Sequence, residues 1–411
     1  MKFNELNLVP ELIDELNRQN LVETTPIQSE AIPVLLEHHD LIASAKTGTG
    51  KTLAYVLPIL QQLFLRDESI KYPRTIQTLI LVPTRELAIQ INEVITHFRE
   101  DVNLKSTAIF GGVRQGSQVL AIERGIDILV ATPGRLLDLY KQQLLDLSHC
   151  QTFVLDEADQ MLDMGFIKDV EKILPLIKNR QQTLLFSATM PKEVVKLSKK
   201  MLKNPIRIQI KSKQVTVETV KQSLYYVDKL NKAKLLLKLL EDNSIYNAIV
   251  FVRTKKNAET LAKKLNKHQI PTEFIHGSKS QNARMRALEN FKKDRARILV
   301  ATDLAARGID VDVLTHVINF DLPETPETYL HRIGRTARKQ NDGEAISFCC
   351  YQEIPELKAI EKQIKQKLPV KENPWYPMED YSNTPIKGTP NLKKKAGKNH
   401  ARKPNRTNKK K

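Results

Sequence analysis

Between residues 40 and 210, short apolar runs alternate with longer amphipathic stretches. The runs read TLILV (78–82), DILVAT (127–132), TFVLD (152–156) and TLLFSAT (183–189), nearly without polar interruptions. Each run precedes a stretch with helical periodicity. Strands that are apolar on both faces and alternate with helices predict a parallel sheet covered by helices on both sides.

A second series of the same kind begins near residue 217. Its runs are AIVFV (248–252), TEFIH (272–276), RILVAT (297–302) and HVINF (316–320). The string ILVAT ends one predicted strand in each series, and although a buried strand can repeat by chance, the two series together predict tandem domains of related α/β fold. The boundaries we assign are a first domain at 1–210 with an N-terminal segment at 1–30, a linker at 211–220, a second domain at 221–370 and a tail at 371–411.

The positive charge of the chain is concentrated near its end. Lys and Arg total 65 against 47 Asp and Glu, a net charge of +18. Residues 384–411 contain eleven Lys or Arg and no acid, which leaves +7 for residues 1–383. The tail is also poor in large apolar residues, which predicts disorder, and its charge predicts a polyanionic partner. The lone Trp375 is expected to pack the start of this segment onto the second domain, as part of a core and not as a binding residue.

Cysteine usage and hydropathy bear on the compartment. The three cysteines have neither disulfide-framework nor zinc-ligand spacing. The first residues, MKFNELNLVPELIDELN, lack the apolar core of a secretory signal. The most apolar stretch, LAYVLPILQQLFL, is too short to span a bilayer. We therefore expect a cytoplasmic protein with no membrane partner.

The segment ASAKTGTGKT (43–52) fits a phosphate loop, with Ala45 in place of the usual first glycine. Gly48 and Gly50 allow backbone N–H groups to approach phosphate oxygens at a helix N-terminus. Lys51 is expected to reach the β- and γ-phosphates, and the Thr52 hydroxyl to ligate Mg²⁺. A glycine-rich turn with a surface lysine is the alternative, which the predicted strand before it and the helix after it disfavour.

Three acids, Asp156, Glu157 and Asp159, crowd together directly after the run TFVL. They repel each other unless a cation lies between them, and Asp156 fits the second acidic ligand of a Mg²⁺ ion. Glu157 is placed to orient or deprotonate an attacking water molecule. An acidic helix start would look the same in isolation, but beside a phosphate loop the acids predict a site of nucleoside triphosphate hydrolysis.

Further short motifs occur in an ordered series along residues 1–368. They are Phe3 with TPIQ (25–28), AKTGTGKT (45–52), PTREL (83–87), GG (111–112), TPGR (132–135), DEAD (156–159), SAT (187–189), VFVRT (250–254), QNAR (281–284), ATDLAARGID (301–310) and HRIGRTAR (331–338). In these motifs the chain resembles the DEAD-box RNA helicases, specifically bacterial forms with a basic C-terminal tail. The resemblance implies two tandem RecA-like domains, ATP and Mg²⁺ as cofactors, and RNA-stimulated ATP hydrolysis.

The resemblance also implies roles for single residues of the ATP site. Ser187 and Thr189 would couple hydrolysis to domain closure, and His331 would lie near the DEAD acids. The amide of Gln28 suits an adenine edge because it donates and accepts, although a buried structural glutamine is the alternative. The implied nucleotide contacts are Phe3, Gln28, Ala45, Lys46, Thr47, Gly48, Thr49, Gly50, Lys51, Thr52 and Asp310. The chain departs from the common family residues at Asn20, Leu21, Thr24, Lys46 and Ala337; at Leu21, loss of an aromatic residue is expected to weaken adenine stacking.

HRIGRTAR places Arg332, Arg335 and Arg338 at i, i+3 and i+6, roughly on one face if the stretch is helical. Three arginines on one face indicate an anion between them, and a solvated basic face is the alternative. By resemblance, Arg335 and Arg338 are arginine fingers that reach the γ-phosphate from the second domain. Such fingers typically contribute about 10³–10⁵ in rate.

Candidate RNA contacts fall in loops after predicted strands. Small residues there expose backbone N–H groups to phosphates, and arginines add charge with few aromatic neighbours, which predicts sequence-independent contacts to the sugar-phosphate backbone. A preference for RNA over DNA rests on the resemblance. The basic tail is expected to add nonspecific RNA affinity, with a solubilising terminus as the alternative. The candidates are Thr84, Arg85, Gly111, Gly112, Thr132, Gly134, Arg135, Thr254, Gln281, Arg284, Thr302 and Arg307.

Two main classes of function fit these features. One is an RNA-dependent ATPase that separates short duplexes or remodels ribonucleoprotein, and the other is an ATP-gated RNA clamp with little strand separation. A DNA helicase of related fold is disfavoured by the Gln28 segment and the DEAD acids. The basic tail and compact core resemble bacterial family members of ribosome assembly or RNA turnover, with ribosomal precursor particles as candidate partners. Nothing in the chain requires more than a monomer.

Overall fold

The computed structural model describes residues 1–45, 48–65, 74–98, 103–210, 220–306, 314–334, 336 and 343–379. The described strands form two sheets, and every strand pair in both is parallel. The strands of the first sheet are β1 (Leu41–Ser44), β2 (Thr78–Leu81), β3 (Ser106–Ile109), β4 (Ile128–Ala131), β5 (Thr152–Leu155), β6 (Gln182–Ser187) and β7 (Ile206–Gln209). Their order across the sheet is β3-β4-β2-β5-β6-β1-β7.

Helices cover both faces of the first sheet. Along β5, Val154 packs into one apolar core, whereas Phe153 and Leu155 pack into another. The strand runs are continuously apolar because successive side chains enter cores on opposite sides of the sheet. The helices are α1 (Pro10–Arg18), α2 (Pro26–Leu36), α3 (Lys51–Phe64), α4 (Arg85–Phe98), α5 (Gly116–Glu123), α6 (Pro133–Lys141), α7 (Ala158–Asp163), α8 (Ile167–Ile173) and α9 (Lys192–Met201).

The second domain is built in the same way. Its strands are β8 (Lys221–Tyr226), β9 (Ala248–Phe251), β10 (Thr272–Ile275), β11 (Ile298–Ala301), β12 (His316–Asn319) and β13 (Glu344–Cys349). Their order is β10-β11-β9-β12-β13-β8. The helices are α10 (Lys232–Leu239), α11 (Lys255–Lys267), α12 (Gln281–Lys292), α13 (Asp303–Ala306), α14 (Pro326–Ile333) and α15 (Ile354–Ile364).

The two sheets share one topology. When the strands of the second sheet are counted from β8, their order is 3-4-2-5-6-1, which matches the first sheet without β7. The repeated string ILVA forms β4 in one sheet and β11 in the other, and each strand lies next to the edge strand. The prediction of two tandem RecA-like parallel-sheet domains is confirmed.

The tail boundary predicted at residue 371 is corrected by the structure. Residues 369–379 run along the free edge of β8: Leu224 N donates to Pro369 O at 2.8 Å, and Lys371 N donates to Leu224 O at 2.8 Å. An edge strand leaves backbone groups unpaired, and this segment satisfies some of them. Residues 371–379 therefore belong to the second domain, and 380–411 lie outside the described residues.

Nothing in the described part of the chain forms a helix long and apolar enough to cross a bilayer.

Candidate functional site

Strand order brings the nucleotide motifs together. In the first sheet β5, β6 and β1 are neighbours, and the DEAD acids, the SAT motif and the phosphate loop follow these strands in turn. Carboxyl ends of parallel strands lie at one edge of a sheet, where α/β proteins bind ligands. The loop and the SAT strand also touch directly, since Ala45 N donates to Ser187 O at 3.0 Å.

The phosphate loop turns tightly into α3. Gly48 and Gly50 have φ of 80° and 90°, a region that favours glycine. A Cβ on Gly50 would lie 2.5 Å from Gln28 Nε2, so the close approach of these segments also requires glycine there. Thr49 lies between them, at the entrance to the helix. Lys46 and Thr47 lie outside the described residues, and their contacts stay predictions.

Lys51 begins α3 as a buried cation. Its side chain is 6% exposed, and Nζ has no hydrogen-bond partner among the residues that the structure describes. A buried charge without a partner is costly, and an anion placed against it would remove that cost. The orphaned ammonium, at a helix N-terminus beside a glycine-rich loop, fits a bound phosphate group.

Asp156 is buried and held from two sides. Tyr55 donates its O–H to Oδ2 at 3.0 Å, and Glu157 N donates to Oδ1 at 2.8 Å. Burial raises the pKa of Asp156, and the charge of Lys51 opposes this rise. Thr52 lies beside the same tyrosine hydroxyl. The carboxylate of Asp156 and the hydroxyl of Thr52 offer the hard oxygen ligands that suit Mg²⁺ next to a phosphate.

Glu157 has a strained backbone. Its φ and ψ are 52° and 50°, the left-handed region that costs a non-glycine residue roughly 1–2 kcal/mol. The side chain is buried, and Oε2 accepts from Gln160 Nε2 at 2.7 Å. Strained backbone conformations are concentrated at functional sites, where they place a side chain in an orientation that a relaxed backbone would not allow.

The last acid of the DEAD motif is bonded to the SAT motif. Asp159 Oδ2 accepts from Thr189 N at 2.8 Å and from Thr189 Oγ1 at 3.0 Å. Asp159 N donates to Ser187 Oγ at 3.1 Å. Sequence reasoning treated Asp159 only as one of a crowd of acids, whereas the structure makes it the link between the two motifs. The role of Ser187 and Thr189 in coupling stays a prediction.

Gln28 connects the N-terminal segment to the phosphate loop. Its Nε2 donates to Gly50 O at 3.1 Å, and its Oε1 accepts from Thr25 N at 2.8 Å. One amide hydrogen and one lone pair stay available, so adenine recognition by Gln28 stays a prediction. Phe3 is buried in the core of the first domain, in the same cluster as Ile27 of this segment.

Asn20 accounts for one departure from the family pattern. Its φ is 57°, in the left-handed region where glycine is common and asparagine is the best-tolerated alternative. Leu21 follows it, packs against the core of the first domain and donates its N–H to Leu16 O at 2.8 Å. The substitution therefore keeps the turn, and its effect on adenine stacking stays a prediction.

The RNA-contact candidates of the first domain lie at helix starts beside the sheet. A Cβ on Gly112, whose φ is 79°, would overlap the Arg85 guanidinium, so this glycine leaves room for the arginine. Arg135 donates to Gln118 Oε1 at 3.1 Å and to Val113 O at 3.0 Å. Thr84 and Thr132 are buried where α4 and α6 begin. At Gly111 and Gly134 an added Cβ would meet no described atom within 4 Å apart from the adjacent backbone, so there is space beside both residues for a ligand.

An ion pair links the two domains next to their RNA-contact candidates. Arg284 Nη2 of α12 lies 3.1 Å from Glu86 Oε1 of α4. Burial and the charges of Arg284 and Arg135 lower the pKa of Arg85, while Glu86 raises it. Arg284 and Arg135 thus both act electrostatically on Arg85, and this cluster of three candidate arginines, two from the first domain and one from the second, attracts a polyanion.

The remaining candidates of the second domain are only partly described. Thr254 caps α11 by accepting from Asn257 N at 3.1 Å, and Thr302 lies at the start of α13. These two follow β9 and β11, which are neighbours in the sheet. The side chain of Gln281 and all of Arg307 lie outside the described residues, so their RNA contacts stay predictions.

The prediction that Arg332 shares one anion-binding helix face with Arg335 and Arg338 is wrong. Helix α14 ends at Ile333, and Arg332 is only 2% exposed. Its Nε and Nη2 donate to the two carboxylate oxygens of Asp303 at 2.6 and 2.8 Å, and its Nη1 donates to Asn319 Oδ1 and Asp321 O. The anion that Arg332 requires is thus a side chain of its own domain.

The predicted roles of four further residues of the second domain stay predictions. Arg335, Arg338 and Asp310, predicted at the γ-phosphate and the ribose, lie outside the described residues. His331 is exposed on α14, and its proximity to the DEAD acids stays a prediction.

Known proteins provide an independent comparison. The DEAD/DEAH box helicase family model matches residues 25–197, and the helicase conserved C-terminal domain model matches residues 231–340. The DEAD-box ATP-dependent RNA helicase CshA of Bacillus subtilis (strain 168) is 41% identical over 366 residues, 89% of this chain and 73% of the relative.

Two solved structures share the arrangement of both domains. S. cerevisiae Dbp5 bound to RNA and ADP BeF3 aligns with a TM-score of 0.76 at 33% identity, over 90% of this chain and 95% of that chain. Mss116p bound to ssRNA and AMP-PNP aligns with a TM-score of 0.78 at 31% identity, over 90% of this chain and 79% of that chain. Together with the ordered motifs and the geometry of the nucleotide site, these matches show that the chain belongs to the DEAD-box ATP-dependent RNA helicases.

Proposed function

We propose that this protein couples hydrolysis of Mg²⁺-bound ATP to the local separation of short RNA duplexes or the remodelling of ribonucleoprotein. The observation that carries the proposal is the 3.1 Å contact between Arg284, an RNA-contact candidate of the second domain, and Glu86, which follows the candidate Arg85 in the first domain. A contact that depends on the approach of the domains lets nucleotide bound after β5, β6 and β1 control RNA binding after β2, β3 and β4.

The chemical step is transfer of the γ-phosphoryl group to water. Lys51 and the amide groups of the phosphate loop would hold the phosphates, and Thr52 and Asp156 would hold Mg²⁺, which when bound neutralises phosphate charge. Glu157 takes a proton from the attacking water as its oxygen bonds to phosphorus and the bond to the ADP oxygen breaks. Arg335 and Arg338 are proposed to supply positive charge at the γ-phosphate from the second domain.

RNA is proposed to be held through its backbone without sequence preference. Open glycine backbone at Gly111 and Gly134 and the cluster of Arg85, Arg135 and Arg284 support this proposal. The tail at 384–411 would add nonspecific affinity through its eleven basic residues. We further propose a cytoplasmic monomer that acts on ribosomal precursor particles or in RNA turnover, in keeping with three cysteines that are all free and buried.

Strand displacement separates this proposal from an ATP-gated clamp. The substrate is a short labelled RNA strand annealed to a longer one, with unlabelled competitor to trap released strand. We expect release of the labelled strand with ATP and none with a non-hydrolysable analogue. Stable ATP-dependent binding without strand release would favour the clamp.

Tyr55→Phe is expected to weaken Mg²⁺-dependent nucleotide binding about tenfold or more, because removing a group that orients a metal ligand typically costs that much. Without the hydroxyl, Asp156 Oδ2 loses its buried donor at 3.0 Å. The measurement is calorimetric titration of ADP with Mg²⁺ and with a chelator.

Only the titration with Mg²⁺ should change, because Tyr55 acts through the metal ligand. Tyr329→Phe is the matched control: this tyrosine is also buried and donates to Gln222 Oε1 at 2.7 Å, but in the second domain. Equal losses with and without Mg²⁺ would assign Tyr55 a purely structural role.

A further inference from the structure

The segment that follows α15 ends in a rigid turn, NPWYP, at 373–377. Asn373 Oδ1 accepts from Tyr376 N at 3.1 Å, and Asn373 Nδ2 donates to Tyr226 O of β8 at 3.0 Å. Tyr376 packs against the core of the second domain. Prolines on both sides restrict the backbone further. The turn is therefore fixed to the domain by Asn373 and Tyr376.

Trp375 contributes little to this attachment. Its side chain is 49% exposed, so the expectation that it packs the segment into a core is wrong. The exposed indole is held on a pre-ordered turn, and tryptophan presented in this way lowers the entropic cost of binding a flat partner. Trp375 is suited to a contact that the isolated chain does not make.

Two lysines of α10 lie near the aromatic rings of this turn. Lys238 Nζ lies 5.8 Å from the centre of the Trp375 ring, and Lys234 Nζ lies 5.7 Å from the centre of the Tyr376 ring. Lys238 is paired with Glu241 at 2.6 Å, whereas Lys234 has no carboxylate partner among the described residues. The acids Glu372 and Glu379 are exposed on the segment itself.

The ligand that fits an exposed aromatic ring beside cations is one with both flat faces and negative charge. Single-stranded nucleic acid has this chemistry, since bases stack on aromatic side chains while lysines contact the phosphates. The chain continues from the turn into the tail at 384–411, so further positive charge is covalently attached to the same place. β8 lies at the opposite edge of the second sheet from β10, β11 and β9, where the other RNA candidates are.

We propose that Trp375, with Lys234 and Lys238, forms a second contact site for single-stranded RNA on the outer edge of the second domain. One base stacks on the exposed indole, and adjacent phosphates lie against α10. The site would hold RNA that extends beyond the contacts between the domains, or keep it bound while the domains part. The proposal rests on RNA being the partner of the proposed function.

Trp375 is the single tryptophan of the chain, so its fluorescence reports on this site alone. Mixed-sequence single-stranded RNA is titrated into the full chain without nucleotide while tryptophan emission and the anisotropy of end-labelled RNA are both followed. We expect saturable quenching that tracks the anisotropy. Heparin, a polyanion without bases, should bind without comparable quenching; equal quenching by heparin would exclude stacking.

Failure of this proposal can be told apart from failure of the proposed function. Anisotropy that rises while tryptophan emission stays constant would overturn the stacking site and leave RNA binding intact. If neither signal changes, the stacking site falls. Anisotropy that also stays constant when a non-hydrolysable ATP analogue is added would overturn the proposed function as well.

Single substitutions distinguish the contribution of base stacking to RNA binding from the contribution of charge. Trp375→Ala should weaken RNA binding about fivefold or more with unchanged salt dependence, because stacking is typically worth about 1–3 kcal/mol per base. Lys234→Gln should flatten the log–log salt slope by about 0.7, the value per single-strand phosphate contact. Tyr246→Ala, which removes another exposed aromatic of the second domain, is the control and should bind normally. Equal effects of Trp375→Ala and Tyr246→Ala would contradict the proposal.

Discussion

Lys51→Ala is expected to reduce RNA-stimulated ATP turnover by about 10²–10³-fold or more, the loss typical when a preorganised charge-stabilising group is removed from an active site. The ammonium of Lys51 is buried and has no hydrogen-bond partner among the described residues, so its N–H groups are expected to donate to a bound phosphate. The measurement is phosphate release at saturating RNA and ATP.

Stability separates this effect from misfolding. The substitution removes a buried ammonium that has no hydrogen-bond partner among the described residues, and Asp156 keeps its donors Tyr55 and Glu157. The thermal midpoint of the nucleotide-free protein should therefore change little. Lys199→Ala, at the exposed end of α9, is the matched control and should retain full turnover. Substantial turnover by a folded Lys51→Ala variant would show that the phosphate loop is misassigned.

Arg332→Leu is expected to destabilise the second domain by about 2–4 kcal/mol, because several acceptors lose the donor groups of a fully buried arginine, although the Asp303 side chain is itself 34% exposed. The substitution leaves the carboxylate of Asp303 without its bidentate partner, and Asn319 Oδ1 also loses a donor. Urea unfolding followed by the fluorescence of Trp375 measures the second domain specifically, since that tryptophan is the single one of the chain and lies on the turn that Asn373 anchors to β8.

Two further variants control this result. Arg286→Leu removes an exposed arginine of α12 and should change the free energy of unfolding by no more than about 0.5 kcal/mol. Arg332→Leu combined with Asp303→Leu should recover part of the loss, because no uncompensated buried charge is left. A stable Arg332→Leu variant with reduced turnover would restore Arg332 to the phosphate site.

Substitution of Arg335 or Arg338 should instead lower turnover at unchanged stability.

Most of the strands that sequence reasoning located are buried on both faces. β2, β4, β5 and β6 of the first domain, and β9, β11 and β12 of the second, are uninterrupted apolar runs because they lie between two helical layers. The edge strands β3, β7 and β8 were missed, and of the residues in β7 only Ile208 is buried. The interior strand β13 was missed as well, whereas the edge strand β10 was located, so position in the sheet explains only part of the outcome.

The candidate site could be predicted as far as the motifs are contiguous in sequence. Lys51, Asp156 and Glu157 follow from local patterns whose chemistry is specific. The donor to Asp156, Tyr55, is 101 residues away along the chain and looks like an ordinary apolar position of α3. The Arg284–Glu86 pair joins two domains and depends on their arrangement, which no local pattern encodes.

The roles of Arg332 and Trp375 were misjudged for a shared reason. In each case the residue type fits both a buried structural role and an exposed functional one, and tertiary contacts decide between them. Asp303 buries Arg332, whereas Asn373 and Tyr376 anchor the turn and leave Trp375 exposed.

The central claim is that RNA bound across both domains assembles the hydrolysis site. Steady-state ATP hydrolysis tests it most directly, measured with no nucleic acid, with single-stranded RNA and with DNA of matched sequence, and with Glu157→Gln as the blank. We predict weak hydrolysis alone, strong stimulation by RNA and little by DNA. Hydrolysis that is equally fast in all three conditions, or stimulated by DNA as much as by RNA, would contradict the account.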